Sequence, residues 1–361
     1  MHDLINNTIN WWRTDLGEAE KTELLKAFSE KRFTVSSSVQ RVEGLVSSIL
    51  NVPYVVMTNS GSSSLLMALM ALDIQPDDEV IIPSLTWIAT PQAPRVLNAK
   101  VIACDTLKSD PIIDVDLIEP LITRKTKAII PVHLNGRYCE MEAINALAKK
   151  YKLAIVEDSC KGLLSSRNGN YFGTLGDIGC FSLGMISPIS VGFGGLVVTR
   201  NLELYEKLKL IRDHGVIRNP ESYATLGFNF KISDLLASLA IPQLLNHKAK
   251  VDSLIKLHNY YQENIDCEAL RILDIPKKQG SVPVYVEGYS DNREEIIEFL
   301  ISHGIQTSRF HIPIHTANYL NCNKENLENS TRFSNNTFIL PSGPSQEIRD
   351  IDLVLETLRK F

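Results

Sequence analysis

The strongest constraint on the fold is an alternation that repeats along most of the chain. Short β-prone runs stand at Tyr54–Thr58, Glu79–Pro83, Lys100–Cys104, Ala128–His133, Leu153–Glu157, Gly179–Leu183 and Gly195–Thr199. Helical stretches lie between them, among them the apolar Leu65–Leu72 and the segments Ile88–Leu97, Met141–Tyr151 and Leu202–Asp213. Parallel strands need a crossover to return, usually a helix. The pattern therefore predicts an α/β domain with a mainly parallel sheet. Two amphipathic helices precede it, one over residues 17–30 and one where Val39, Val42, Val46 and Ile49 repeat at helical spacing.

The character changes near residue 233. Ser233–Tyr261 reads as one or two long helices, followed by a strand at Val282–Val286, a helix at Arg293–His303, a strand near Ile305–Phe310 and a last helix around Ser345–Lys360. This predicts a large α/β domain over residues 1–245 and a smaller α+β domain over 246–361. Asn321–Asn329 is the most polar stretch and reads as a surface loop.

Charge excludes some partners. With 37 basic and 42 acidic residues the formal net charge is -5, which offers no footprint for nucleic acid or an anionic membrane. No run of 18 apolar residues occurs, and Met1–Leu4 lacks a basic region followed by an apolar run. The six cysteines form no CxxC pair and no zinc-ligand spacing, so the expectation is a cytoplasmic protein with reduced thiols and no metal. The Asn6-Asn7-Thr8 triplet then needs no glycan.

Three features can carry chemistry. Asn59–Ser64 follows a β-run and opens a helix, where small residues, hydroxyls and the helix dipole favour an anion such as phosphate. A serine-rich N-cap is the plainer reading. Glu157-Asp158 ends an apolar strand, where a carboxylate faces the ligand crevice of an α/β sheet and seeks a cation. A structural helix cap is its alternative. Trp87, after Pro83-Ser84-Leu85-Thr86, is placed either to stack on a ring or to fill the core. His311 and His315 have metal-pair spacing, but Pro313 denies them a regular helix.

In order along the chain, these pieces resemble the DegT/DnrJ/EryC1/StrS family, the sugar-aminotransferase group of fold-type I pyridoxal phosphate (PLP) enzymes. The resemblance runs from about Thr14 to the C-terminus. It is carried by Asn59-Ser60-Gly61-Ser62, Asp78–Thr90, Ala128–Gly136, Glu157-Asp158, Gly176–Ser182, Gly194-Gly195, Arg212–Gly215 and Gly227–Asp234. It implies a mixed seven-stranded sheet, a homodimer with shared active sites, and PLP or its amine form PMP as cofactor. It also implies that Asp158 pairs with the pyridine nitrogen and Trp87 stacks on the ring. Gly61, Ser62, Ser63 and Ser182 would hold the phosphate, and Asn229 would reach the phosphate of the other subunit. His133 would lie near the ring.

The same resemblance exposes a departure. Counted from Ser182 and back from Gly194-Gly195, the position of the family's Schiff-base lysine is Ser187. Sugar 3-dehydratases of the family carry His there. Phe193 stands where Glu or Gln is usual, and Lys161 where Gln usually contacts the cofactor's 3-hydroxyl. Serine cannot form an imine and is a poor base without an activating partner. Ordinary multi-turnover transamination is therefore not expected.

The reading is a lysine-independent PLP/PMP enzyme, the cofactor held non-covalently, acting on a nucleotide-linked sugar or a small amine or carbonyl. Ser187, Lys161 and His133 are its candidate catalytic residues. Lys161 either replaces the lysine or makes a charge contact to the cofactor or a nearby acid. A non-catalytic paralogue and an enzyme that uses the pocket without PLP stay open. A parent with Lys at 187 would be an ordinary sugar aminotransferase.

Overall fold

A computed structural model describes residues 8–218 and 220–361; Met1–Leu4 and Asn6-Asn7 lie outside the described residues. Helices α1 (Glu18–Ser29) and α2 (Ser37–Leu50) lead into β1 (Tyr54–Thr58), α3 (Gly61–Ala71), β2 (Glu79–Pro83), α4 (Ala89–Val96) and β3 (Lys100–Cys104). Then come β4 (Thr126–Ile129), α5 (Met141–Tyr151), β5 (Ala154–Asp158), the hairpin β6 (Ser166–Arg167) and β7 (Asn170–Tyr171), β8 (Ile178–Ser182), β9 (Gly195–Thr199) and α6 (Leu202–Arg212). A second hairpin, β10 (Val216–Arg218) and β11 (Glu221–Tyr223), precedes α7 (Asp234–Leu245) and α8 (His247–Asn264). The chain ends with β12 (Arg271–Ile272), β13 (Val286–Tyr289), α9 (Arg293–Ser302), β14 (Ser308–Arg309), α10 (Glu328–Asn336), β15 (Thr337–Leu340) and α11 (Ile348–Leu358).

The large sheet has seven strands in the order β1-β9-β8-β5-β4-β2-β3. From β8 to β3 all neighbours are parallel, and β9 runs antiparallel to β8 and to β1. The sheet is the mixed, mainly parallel one expected. Its two faces bury different apolar sets. Val56, Val80, Val156 and Val197 pack with α3 on one side. Ile81, Ile129 and Ile155 join Val284, Tyr285, Phe310 and Ile339 of the C-terminal part on the other.

The C-terminal part forms a four-stranded antiparallel sheet of order β12-β13-β15-β14. Here sequence and structure differ most. Val282–Tyr285 does not pair as a strand; its backbone bonds to side chains instead. Asn135 Oδ1 accepts from the N–H groups of Val284 and Tyr285 (2.8 and 3.1 Å), and Asn135 Nδ2 donates to the Tyr285 carbonyl (2.9 Å). Ser165 Oγ accepts from Val282 N–H. The predicted strand near Ile305–Phe310 shrinks to Ser308–Arg309. The strand expected over Ala128–His133 closes at Ile129, because Pro131 has no N–H to give the ladder. One bridge, Val132 to Asp158, continues the pairing beyond it. The long helix is two, parted at Asn246.

Candidate active site

The C-terminal ends of β1, β2, β5 and β8 converge on a cavity of about 570 Å³. Gly61, Ser62, Trp87, Asp158, Lys161 and Ser182 all line it. One end is the first turn of α3. Ser60 caps that helix by accepting from Ser63 N–H at 3.1 Å. The N–H groups of Gly61 and Ser62 precede the first intrahelical donor, Ser64, so they have no acceptor within the helix and the turn can take an anion. Gly61 permits a close approach, since a Cβ there would lie 3.0 Å from Cys160 Sγ and from Ser182 Cβ and would push them back by a few tenths of an ångström. That approach brings Ser182 beside the helix end.

The other end is Asp158, only 4% exposed. The observed strand ends at Asp158, the strand end at which the sequence places the carboxylate. Its Oδ2 accepts from Thr90 Oγ1 at 2.7 Å and its Oδ1 from Cys160 N–H at 3.1 Å. Thr86 donates in turn to Thr90 (3.0 Å). With Thr90 committed to the carboxylate, the two hydroxyls form a relay that aims Asp158. Neither threonine received a role from the sequence: Thr86 lies in the loop after β2 and Thr90 in the first turn of α4, and only the fold brings their hydroxyls together.

Glu157 points away from the cavity. Its carboxylate accepts from the N–H groups of Leu175 (2.6 Å), Gly176 (2.5 Å) and Gly173 (2.8 Å). His133 Nε2 lies 2.9 Å from Glu157 Oε2, and Nδ1 faces the Arg137 carbonyl. Burial lowers the imidazole pKa, but contact with Cys139 and the Glu157 carboxylate outweigh it and raise it to about 10. His133 is fully buried and stacked on Phe172, away from the cavity wall. Its imidazole is held between Glu157 and the Arg137–Cys139 backbone and is not among the residues that line the cavity.

The structure also keeps Ser187, Ser63 and Asn229 off this wall. Ser187 is 1% exposed and its Oγ has no hydrogen-bond partner. The flanking Met185 and Ile186 line the cavity instead. Ser63 Oγ is engaged with Ser60 Oγ. Asn229 is exposed on the bridge it makes with Asp213.

Lys161 is the lysine on the wall. Its Nζ donates to the Ile186 carbonyl. Burial pulls its pKa down to about 8, against the opposite influence of Cys160 and Asp158. His311 lies across from it, lowered to about 4 by burial and by the Lys161 charge, with its ring edge-on to Trp87. Arg309, Tyr285 and Ile339 complete the roof from the C-terminal part. His315 is elsewhere, its Nδ1 2.6 Å from Ser84 Oγ.

A seven-stranded mixed sheet with this strand order, a carboxylate at one end of a cavity and a helix N-terminus at the other, is the architecture of fold-type I PLP transferases. The chain belongs to the DegT/DnrJ/EryC1/StrS aminotransferase family, whose model matches residues 14–359. It is 31% identical over 324 residues to an uncharacterized protein of Methanocaldococcus jannaschii, covering 84% of this chain and 83% of that one. It is 28% identical to the GDP-perosamine synthase of Escherichia coli O157:H7, covering 90% of each. The structure of S. venezuelae DesV in complex with a ketimine intermediate superposes with a TM-score of 0.91 at 25% identity, covering 98% of both chains. Among the described residues no helix is long and apolar enough to cross a membrane.

Proposed function

We propose that this chain is an aminotransferase-family enzyme that binds PLP or PMP without the family's lysine anchor at position 187 and acts on a nucleotide-linked sugar. The observation that carries the reading is the pairing of Asp158 and the α3 N-terminus across one cavity, with Trp87 between the strand ends. The fit is chemical. Asp158 retains acceptor capacity for a pyridinium N–H, and the Gly61 and Ser62 amides with the Ser182 hydroxyl suit a phosphate. The volume lies within the range of small-molecule sites.

When bound, the cofactor supplies an electron sink for bond changes at the carbon that bears the sugar's amine or carbonyl. The chain's own residues do the rest. Asp158, aimed by Thr90, holds a proton on the ring nitrogen. Ser62, Ser182 and the helix end fix the phosphate. Trp87 covers one face, and the roof excludes water. Buried Ser187 offers no base to the cavity, so any proton to be moved falls to a group on the wall. GDP-perosamine synthase among the relatives supports a nucleotide sugar as substrate class.

A homodimer belongs to the same reading. Tyr223, Leu226 and Phe228 are exposed apolar side chains beside Asn229, which would donate to the partner's phosphate site. The division into residues 1–245 and 246–361 and a cytoplasmic location complete the proposal. The test is equilibrium dialysis of the full chain against PMP and PLP. Binding should weaken by about ten- to a hundredfold in Asp158→Asn, the equivalent of one charged hydrogen bond. Equal affinity in the variant, or no binding to the parent protein, would overturn the reading.

A further inference from the structure

We propose that Lys161 supplies the covalent anchor at this site, its amine forming an imine with the aldehyde of a pyridine-aldehyde phosphate. The inference rests on the cofactor reading above and goes beyond it. An imine needs a primary amine, and Lys161 is the lysine among the cavity-lining residues. Arg309 and His311 are the other basic side chains there, and neither a guanidinium nor an imidazole is a primary amine that can form this imine.

The placement of the amine is the second argument. Lys161 leaves the turn after β5, three residues beyond Asp158, yet its Nζ reaches the carbonyl of Ile186. That peptide directly precedes Ser187, the residue at the family's lysine position. The amine therefore arrives from the facing segment at the place where a lysine of the β8–β9 loop would begin. Ser187 leaves that place open, with its hydroxyl turned into the protein. A carbonyl is an acceptor the amine can leave by rotation about its own side-chain bonds, so nothing covalent must break first.

The step balances without another reactant. The neutral Nζ adds to the aldehyde carbon, protons pass to the former carbonyl oxygen, water leaves, and a carbon–nitrogen double bond remains. Burial keeps a share of the amine neutral near pH 8.

The experiment is borohydride reduction of the full chain after incubation with PLP, followed by peptide mass mapping. The expected result is a reduced pyridoxyl increment on the Lys161 peptide before any other lysine is modified. PMP, which has no aldehyde, should block it. Lys161→Arg and Lys161→Gln should lose the increment yet still retain PLP in dialysis, and circular dichroism checks that both are folded. PLP retained by the parent chain with no increment at Lys161 would overturn this inference alone. No retention of PLP or PMP would overturn it together with the cofactor reading.

Discussion

Replacing Lys161 by Met should make the protein more stable at neutral pH, and the gain should vanish in alkali. The ammonium is penalised by burial, which lowers its pKa from 10.5 to about 8. At about 1.36 kcal/mol per pH unit this amounts to about 3 kcal/mol against the folded state while the lysine is charged. Methionine fills similar space but leaves the Ile186 carbonyl without its donor, at a cost of about 1 kcal/mol. The net gain is about 2 kcal/mol. With an unfolding entropy of about 2.1 cal/mol/K per residue, a cooperative transition of the 361-residue chain should rise by about 3 °C. The sign of the pH dependence follows from proton counts. Between pH 8 and 10.5 the unfolded chain holds the Lys161 proton more firmly than the folded one, so wild-type stability gains with pH relative to the variant. Calorimetry of both proteins from pH 7 to pH 10 reads this directly. A variant less stable at pH 7, or a difference that does not shrink toward pH 10, would refute the reasoning.

Three further outcomes follow from the same geometry. Thr90→Val removes the charged hydrogen bond to Asp158 and leaves Thr86 without its acceptor; a loss of about 2–4 kcal/mol is expected in urea unfolding, and most of it should disappear in an Asp158→Ala background. Glu157→Gln puts an NH2 group among three backbone N–H donors and His133; a loss of about 2–4 kcal/mol in the same assay is expected, and an unchanged midpoint would contradict the network. The yield of borohydride-trapped adduct should climb from pH 7 to pH 9 as Lys161 loses its proton near 8; a flat profile would point to a different amine.

The large sheet was legible because each strand is a short apolar run bounded by turn residues, and β1, β2, β3 and β9 stand where those runs do. That the start of α3 and Asp158 would meet at one cavity was legible for a related reason, since strand ends fix them along the chain. What failed was tertiary. Val282–Val286 looks like a strand, but Asn135 captures its backbone from a loop about 150 positions away. β15 follows a polar helix and carries few signals besides Phe338-Ile339-Leu340. Nothing in the sequence near His133 marks its contact with Glu157, 24 positions on. Thr90 closes the Asp78–Thr90 run, but nothing local says its hydroxyl meets a carboxylate 68 positions later.

The grip of Asn135 on Val284 and Tyr285 also limits how such proteins can be recombined. Arg137, two residues on, is buried against Glu287 of β13. A chimaera that imports a new C-terminal part to change its specificity must bring the Leu134–Cys139 loop with it. Otherwise it leaves an amide and a guanidinium facing strangers. The two parts fit as a matched lock, so substitutions confined to cavity-lining residues such as Arg309 and His311 leave that lock intact where an exchange of the whole roof would not.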